Sequence, residues 1–159
     1  MKILSILSMA VLLMSITSCS FEAKKDLTTG LEINATNLSV NETYLSVNGQ
    51  KLPSSDVTLG SEVICYFDGV DGFVVKDNIC MVGASMIVKD ENGNEMLNEP
   101  DLFADYDEEG FSPEEVKVLT LSLSTGQPME VGKSYTWDMK IWDKNGKGEI
   151  KANVKVNMK

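Results

Sequence analysis

The sequence predicts an all-β fold, an antiparallel β-sandwich of seven to nine strands. Apolar and polar residues alternate over most of the chain, and this period of two marks strands with one buried and one solvated face. Asn-Gly pairs follow several of these segments, at Asn48-Gly49, Asn92-Gly93 and Asn145-Gly146. Such pairs accept the positive φ angles of tight hairpin turns. No stretch shows a sustained helical period, so we expect turns rather than helices between the strands.

The first 18 residues have the layout of a secretory signal peptide. One positive charge at Lys2 precedes an apolar run from Ile3 to Ile16. A run of about 14 residues is too short for a hydrocarbon core of ~30 Å, which needs roughly 20. We therefore exclude residues 1–18 from the folded domain.

The end of this segment, Ile16-Thr17-Ser18-Cys19, resembles the lipobox of bacterial type II signal peptides. The resemblance covers about twenty residues and implies a lipid attached to Cys19 after cleavage. Two or more acyl chains hold a protein stably at a membrane. Ser20 follows Cys19 where inner-membrane retention would favour Asp, so we expect a lipid anchor in the outer membrane, on its periplasmic face or at the cell surface. Residues 19–29 are then a tether, and residues 30–159 are one sandwich domain.

The upstream strands are short and the final two are the clearest. We predict strands at 31–35, 43–47, 50–52, 62–67, 79–89 and 116–124. Tyr135 to Ile141 and Ile150 to Met158 alternate strictly and predict a closing antiparallel hairpin around the turn at 143–148. Val131 to Trp137, with the strand, turn and strand that follow, resembles the end of bacterial immunoglobulin-like modules. This resemblance implies an immunoglobulin-like sandwich, and a C2-like sandwich fits the same strand count.

Composition excludes several classes of chemistry. The chain has no His, its 14 basic residues are all Lys, and its formal net charge is −10. His-based triads, His metal sites and Arg clamps on phosphate are therefore excluded. An acidic surface also repels nucleic acid, so we expect no nucleic-acid partner. We expect a binding, adhesion or assembly-accessory module that is not an enzyme, with an envelope protein or a glycan as its partner.

Carboxylates are concentrated in one region of the chain. Residues 90–115 contain eleven Asp and Glu residues and no Lys. Asp105-Tyr106-Asp107-Glu108-Glu109-Gly110 spaces its acids as a calcium loop begins, although position twelve is Val116 where a bidentate Glu is required. One alternative function is therefore a calcium-binding module that uses Asp101, Asp105, Asp107 and Glu109. If no calcium binds there, the region is a solvated acidic loop. A second alternative is a small carbohydrate-active enzyme with paired carboxylates.

Three further residues are candidates for function or stability. Cys65 and Cys80 are either a disulfide pair or two buried free thiols. A hairpin turning at 69–72 would place Cys65 opposite about Lys76, four residues from Cys80, so a disulfide requires another register or a bridge between sheets. Trp142 falls on the polar face of its strand, where an indole can stack on a sugar or anchor a protein partner, or can pack beneath a loop.

Overall fold

The structure is a computed structural model that describes residues 20–159. Its strands are β1 (Phe21–Lys25), β2 (Glu32–Thr36), β3 (Glu42–Val47), β4 (Gln50–Lys51), β5 (Asp56–Val57), β6 (Glu62–Asp68), β7 (Val75–Lys76), β8 (Ile79–Cys80), β9 (Val82–Lys89), β10 (Glu95–Glu99), β11 (Val118–Ser124), β12 (Ser134–Asp143) and β13 (Glu149–Met158). Short 3-10 turns span Ala104–Tyr106 and Glu115–Lys117. No helix in the described part of the chain is long and apolar enough to cross a membrane.

Two sheets pack face to face around one core. The large sheet has the order β1-β2-β13-β12-β9-β10, with β5 added in parallel to the end of β13. The small sheet has the order β11-β6-β3-β4, and β7 pairs with β8 as a separate ribbon. Apart from the β5–β13 pair, all pairings are antiparallel. The predicted antiparallel β-sandwich is thus confirmed, and nine of its strands have five or more residues.

Strict alternation in β12 and β13 builds the centre of the core. Every second residue of both strands is buried, and Trp137 at the middle of β12 is fully buried. Trp137 lies opposite Val154 of β13 and Val88 of β9. Burying a large apolar side chain stabilises the fold by roughly 1.5–3 kcal/mol, and aromatic side chains bury the largest areas. The closing hairpin predicted from the sequence is confirmed.

The β12–β13 turn differs from the one predicted. Neither Asn145 nor Gly146 has a positive φ angle, and the loop extends over residues 144–148. The buried Asp143 carboxylate accepts hydrogen bonds from Asn145 N at 2.8 Å and from Val74 N at 2.8 Å. This carboxylate satisfies one amide of the loop, that of Asn145, and joins the loop to Val74. In contrast, Asn48 and Gly49 both have positive φ and form the predicted tight turn between β3 and β4.

Two other predictions are corrected by the pairing of strands. The expected tether at 19–29 contains β1, which pairs with β2 over five positions and is mostly exposed on both faces. An edge strand without a buried face has no alternation of apolar and polar residues, so the strand could not be predicted from that pattern. The predicted hairpin through 69–72 is also absent, because β6 pairs with β3 and β11.

Candidate functional site

The outer face of the large sheet carries the polar residues that alternate with the core. On β12 these are Thr136, Asp138, Lys140 and Trp142. Their neighbours across the strand pairs are Lys155, Asn153, Lys151 and Glu149 on β13, and Lys89, Ile87, Ser85 and Gly83 on β9. Successive side chains of a strand point to opposite faces, so these residues share one surface.

A groove of about 400 Å³ opens on this surface. It crosses four neighbouring strands, and its polar lining comes from Asn34 on β2, Lys151 and Asn153 on β13, Asp138 and Lys140 on β12, and Ser85 on β9. Ile87 supplies an apolar wall. Ligand sites commonly combine an apolar surface with a few positioned polar groups, and this groove has both.

Hydrogen bonds and ion pairs hold the charged side chains of the groove in place. The Asp138 carboxylate accepts hydrogen bonds from Asn153 Nδ2 and from Lys89 Nζ, the latter at 3.0 Å. Glu149 pairs with Lys151 at 2.7 Å and with Lys140 at 2.9 Å. Lys151 and then Lys140 lower the pKa of the Glu149 carboxyl, against a smaller opposing effect of burial. These pairs are partly exposed and contribute little stability, but they fix the positions of both lysines.

Trp142 lies at one end of this surface, two residues along β12 from Lys140. Its indole packs against Gly83 on the neighbouring strand, where an added Cβ would lie 2.1 Å from Cε2 of the ring. The ammonium of Lys140 is 5.6 Å from the ring centroid, within the range of a cation–π contact. Trp142 is half-buried. The predicted placement on the polar face is therefore correct, and the ring is held in a fixed position.

The small sheet presents a different aromatic arrangement on its outer face. Tyr44 and Tyr66 lie opposite each other on β3 and β6, with ring centroids 5.0 Å apart and planes 7° from parallel. Lys51 approaches the Tyr44 ring at 5.0 Å. The tyrosine rings are stacked on each other, so less of their π surface is open to a ligand than at an unstacked ring.

Two of the four predicted calcium ligands, Asp101 and Asp107, meet at a common contact. Asp101 and Asp107 both contact the ammonium of Lys144, Asp101 at 2.6 Å. Asp105 and Glu109 are exposed on the same loop. Among residues 20–159, no three acidic, Cys or His side chains are grouped so that they could hold a metal ion. Lys144 supplies a positive charge to Asp101 and Asp107, and calcium binding stays an alternative.

Asp101 also fastens the acidic loop to the large sheet. Its Oδ1 accepts hydrogen bonds from Phe103 N at 3.0 Å and from Ala84 N at 3.3 Å. Burial acts to raise the pKa of the Asp101 carboxyl, but the Lys144 ammonium and these two amides outweigh burial and leave the pKa below its usual value. The carboxylate is therefore a structural anchor for the loop.

Cys65 and Cys80 are separate buried thiols, which is the second of the two alternatives drawn from the sequence. Cys65 lies at the centre of the small sheet, opposite Leu45 and Leu121. Cys80 lies in the β7–β8 ribbon and bridges to Phe111. Burial raises the pKa of both thiols. The candidate disulfide is not formed.

Cys19 precedes the described residues, so its lipidation remains a prediction. The groove residues were missed by sequence interpretation, which named only the neighbouring Trp142 on this surface. The sequence does place them on the polar side of strands in which apolar and polar residues alternate, and this was the one indication that they share a surface. Their convergence depends on the β2–β13 and β9–β12 pairings, which join segments far apart in the chain.

Comparisons with known proteins identify a fold. No protein-family model matches the chain, and no curated protein matches its sequence. Among solved structures, the crystal structure of the C-terminal domain of wzt is similar, with a TM-score of 0.52 and 11% sequence identity. The match covers 90% of this chain and 79% of that domain. At this identity, the likeness shows a shared β-sandwich architecture alone.

Proposed function

We propose that the chain is a lipid-anchored envelope protein whose sandwich binds a glycan, without altering it, in the groove on the outer face of the large sheet. The observation that carries the proposal is this groove, with the indole of Trp142 packed on Gly83 at one end of the same surface. The lipid anchor follows from the lipobox-like sequence that ends at Cys19.

The groove offers the chemistry that a sugar needs. Sugar hydroxyls both donate and accept hydrogen bonds, whereas their C–H faces are apolar. Asn34 and Asn153 donate and accept through their amides, Asp138 accepts, and Lys140 and Lys151 donate. Ile87 and Trp142 supply apolar and aromatic surface for the C–H faces. Because the groove crosses four strands spaced ~4.8 Å apart, it suits a short oligosaccharide better than a single sugar.

Charge also favours this surface over the rest of the molecule. The chain carries a formal net charge of −10. Around the groove, however, three lysines (Lys89, Lys140 and Lys151) accompany two carboxylates (Asp138 and Glu149). A neutral or weakly acidic glycan would therefore meet little repulsion there, in contrast to the acidic loop at 101–109.

The arrangement favours a binding role over glycoside hydrolysis. Glycosidases use two carboxyl groups that flank the bond to be cleaved. Asp138 is the one carboxylate that lines the groove, and it is engaged by Lys89 and Asn153. A second carboxylate facing it across the groove would be required for the enzyme alternative.

Calorimetry with defined glycans tests the proposal. Peptidoglycan fragments and lipopolysaccharide core oligosaccharide would be titrated into residues 20–159, which contain both sheets and the hydrophobic cluster between them. We expect binding of at least one, weakened about tenfold or more by Trp142→Ala and by Asn153→Ala. Tyr44→Ala, which removes an aromatic ring from the other sheet, should leave affinity unchanged. Equal loss in all three variants, or no binding of either glycan, would contradict the assignment.

Anchoring is tested separately in cells. The full chain should incorporate labelled palmitate and fractionate with the outer membrane, whereas Cys19→Ala should do neither. Ser18→Ala, which keeps a small residue before the cysteine, serves as the matched control and should remain lipidated. Labelling that persists in Cys19→Ala would refute the anchor and leave the glycan proposal untouched.

A further inference from the structure

The two sheets of the sandwich leave four edge strands, and three of them resist strand addition. β1 carries Glu22, Lys24 and Lys25 among its five residues. β10 is interrupted by a register shift between Glu95 and Leu97, and β4 is two residues long. Charged side chains, bulges and shortness are the usual means by which proteins prevent one sheet edge from pairing with another chain.

The fourth edge, β11, lacks all of these protections. Its seven residues, Val118 to Ser124, pair with β6 one for one without a bulge, and none is charged, Pro or Gly. The outward residues Val118, Thr120, Ser122 and Ser124 are all exposed. Within residues 20–159, no backbone hydrogen bond joins positions 118–124 to any strand other than β6. One row of amide and carbonyl groups is therefore free for another strand.

We propose that β11 pairs with β11 of a second copy of this chain, antiparallel about a two-fold axis at Leu121. The proposal does not depend on the glycan groove. This register uses all seven residues and makes the edge self-complementary, as a two-fold interface requires. Thr120 then lies opposite Ser122 of the other copy, and Val118 opposite Ser124. The small sheets of the two copies become one continuous sheet.

Electrostatics permits this pairing despite the acidic chain. Residues 118–124 bring no charge to the interface, and the two carboxylates paired with this strand, Glu62 and Asp68, lie at the two ends of β6. Repulsion between the remaining charges is screened over ~8 Å at physiological ionic strength. A strongly charged strand of another protein would find no opposite charge to pair with on this edge. A second copy brings an equally uncharged strand, which favours it as the occupant.

The position of β11 also leaves the edge accessible. Lys24 on β1 donates a hydrogen bond to Val40 O at 2.7 Å, just before β3. The β1 edge of the large sheet therefore lies toward β3, whereas β11 is at the other side of the small sheet. Two copies can join through β11 without contact between their N-terminal strands.

Light scattering on residues 20–159, up to about 1 mM protein, tests the association. We expect a concentration-dependent dimer that the double variant Thr120→Lys plus Ser122→Lys abolishes, because lysines would then face lysines across the pair. The double variant Gln50→Lys plus Asn145→Lys has the same change in net charge on exposed positions away from β11 and should still dimerise. A monomer at every concentration, or a dimer that survives the β11 variant, would overturn the proposal.

Cross-linking tests the register independently of stability. Oxidation of an equal mixture of Thr120→Cys and Ser122→Cys chains should give a covalent heterodimer, because the two thiols lie opposite each other in the proposed pair. Each variant alone should cross-link less, since its own thiols are displaced diagonally. Equal cross-linking in all three samples would reject the two-fold register, even where the lysine variant fails to fold.

Discussion

At the scale of single residues, Gly83 and Trp142 depend on each other. The indole occupies the space that any larger side chain at position 83 would need. We predict that Gly83→Ala displaces the ring and lowers the free energy of unfolding by about 1–3 kcal/mol, the usual cost of overpacking. Gly126→Ala is the matched control, since an added Cβ there meets nothing within 4 Å. Urea denaturation compares the two, and equal stabilities would show that the ring moves aside at no cost.

Asp101 makes the stability of the fold depend on pH in the acidic range. Its pKa is below the ordinary value of 3.8 in the folded chain, so ionised Asp101 stabilises the fold at pH values above 3.8. This contribution is lost as the pH falls from about 3.8 to the lowered pKa. We predict that Asp101→Asn destabilises the chain at pH 7 and that the difference from wild type shrinks below pH 4. Thermal melts of Asp105→Asn, an exposed neighbour, should match wild type at both pH values; a constant effect of Asp101→Asn would contradict the linkage.

Lys144 leads to a prediction about calcium. Because its ammonium already contacts Asp101 and Asp107, calcium would have to displace it to reach both carboxylates. We predict no heat when calcium is titrated into residues 20–159 and no rise in melting temperature. The variant Asp105→Asn plus Asp107→Asn is the control. Heat in the wild type that disappears in this variant would restore the acidic loop as a metal site.

The alternation of residues predicted which side of a strand is buried better than it predicted which side chains pair with each other. Alternation correctly placed Trp137 in the core and Trp142 on the polar side. It gave no means of pairing Asp101 with Lys144, which is 43 residues away and belongs to a different loop. The charge difference between residues 90–115 and the Lys-rich C-terminus was visible in the sequence, but the identity of each ion pair depends on the fold.

Among the strands of five or more residues, β1 contributes the least to the core. Four of its five residues are exposed, and its ion pairs with Glu22 and Glu32 are at the surface. We predict that deleting residues 20–25 lowers the free energy of unfolding by about 1 kcal/mol or less, because exposed pairs and terminal strands contribute little. Circular dichroism and urea denaturation measure the effect. Replacing Lys24 and Lys25 with Ala is a milder control; an unfolded deletion variant would show that β1 is essential.

Strands whose residues alternate between apolar and polar were predicted well, and strands without this alternation were not. The closing hairpin, β3, β6 and most of β9 lie where alternation placed them. β10 was missed because three of its five residues, Glu95 to Glu99, are acidic or amide. The strand also lies at an edge of the sheet and has a register shift. The predicted strand at 79–89 is divided at Met81, since Ile79–Cys80 pairs with β7 and not with the large sheet.

For the molecule as a whole, one core joins the two sheets. Buried residues from both sheets, including Phe67, Leu121, Trp137 and Val154, belong to a single hydrophobic cluster. We predict that residues 20–159 unfold in one cooperative transition, with equal calorimetric and van't Hoff enthalpies. The double variant Thr120→Lys plus Ser122→Lys from the β11 experiment should also unfold in one step. Separate transitions for the two sheets would contradict a shared core.

The proposed anchor lies close in sequence to the strand beside the proposed groove. β1 begins at Phe21, two residues after Cys19, and the groove starts on the adjacent strand β2. With strands ~4.8 Å apart, β12 lies only about 14 Å from β1 within the sheet. A lipid on Cys19 would therefore hold the groove near the membrane surface and favour glycans presented there.

The single strand β12 carries both tryptophans of the chain, on opposite faces and five positions apart. Trp137 has no exposed surface, whereas Trp142 is half-buried beside the groove. Their emission should differ in wavelength, since the outer indole meets water and the inner one does not. The chain thus contains two intrinsic optical probes, one sensitive to ligand at the surface and one to loss of the core, without any added label.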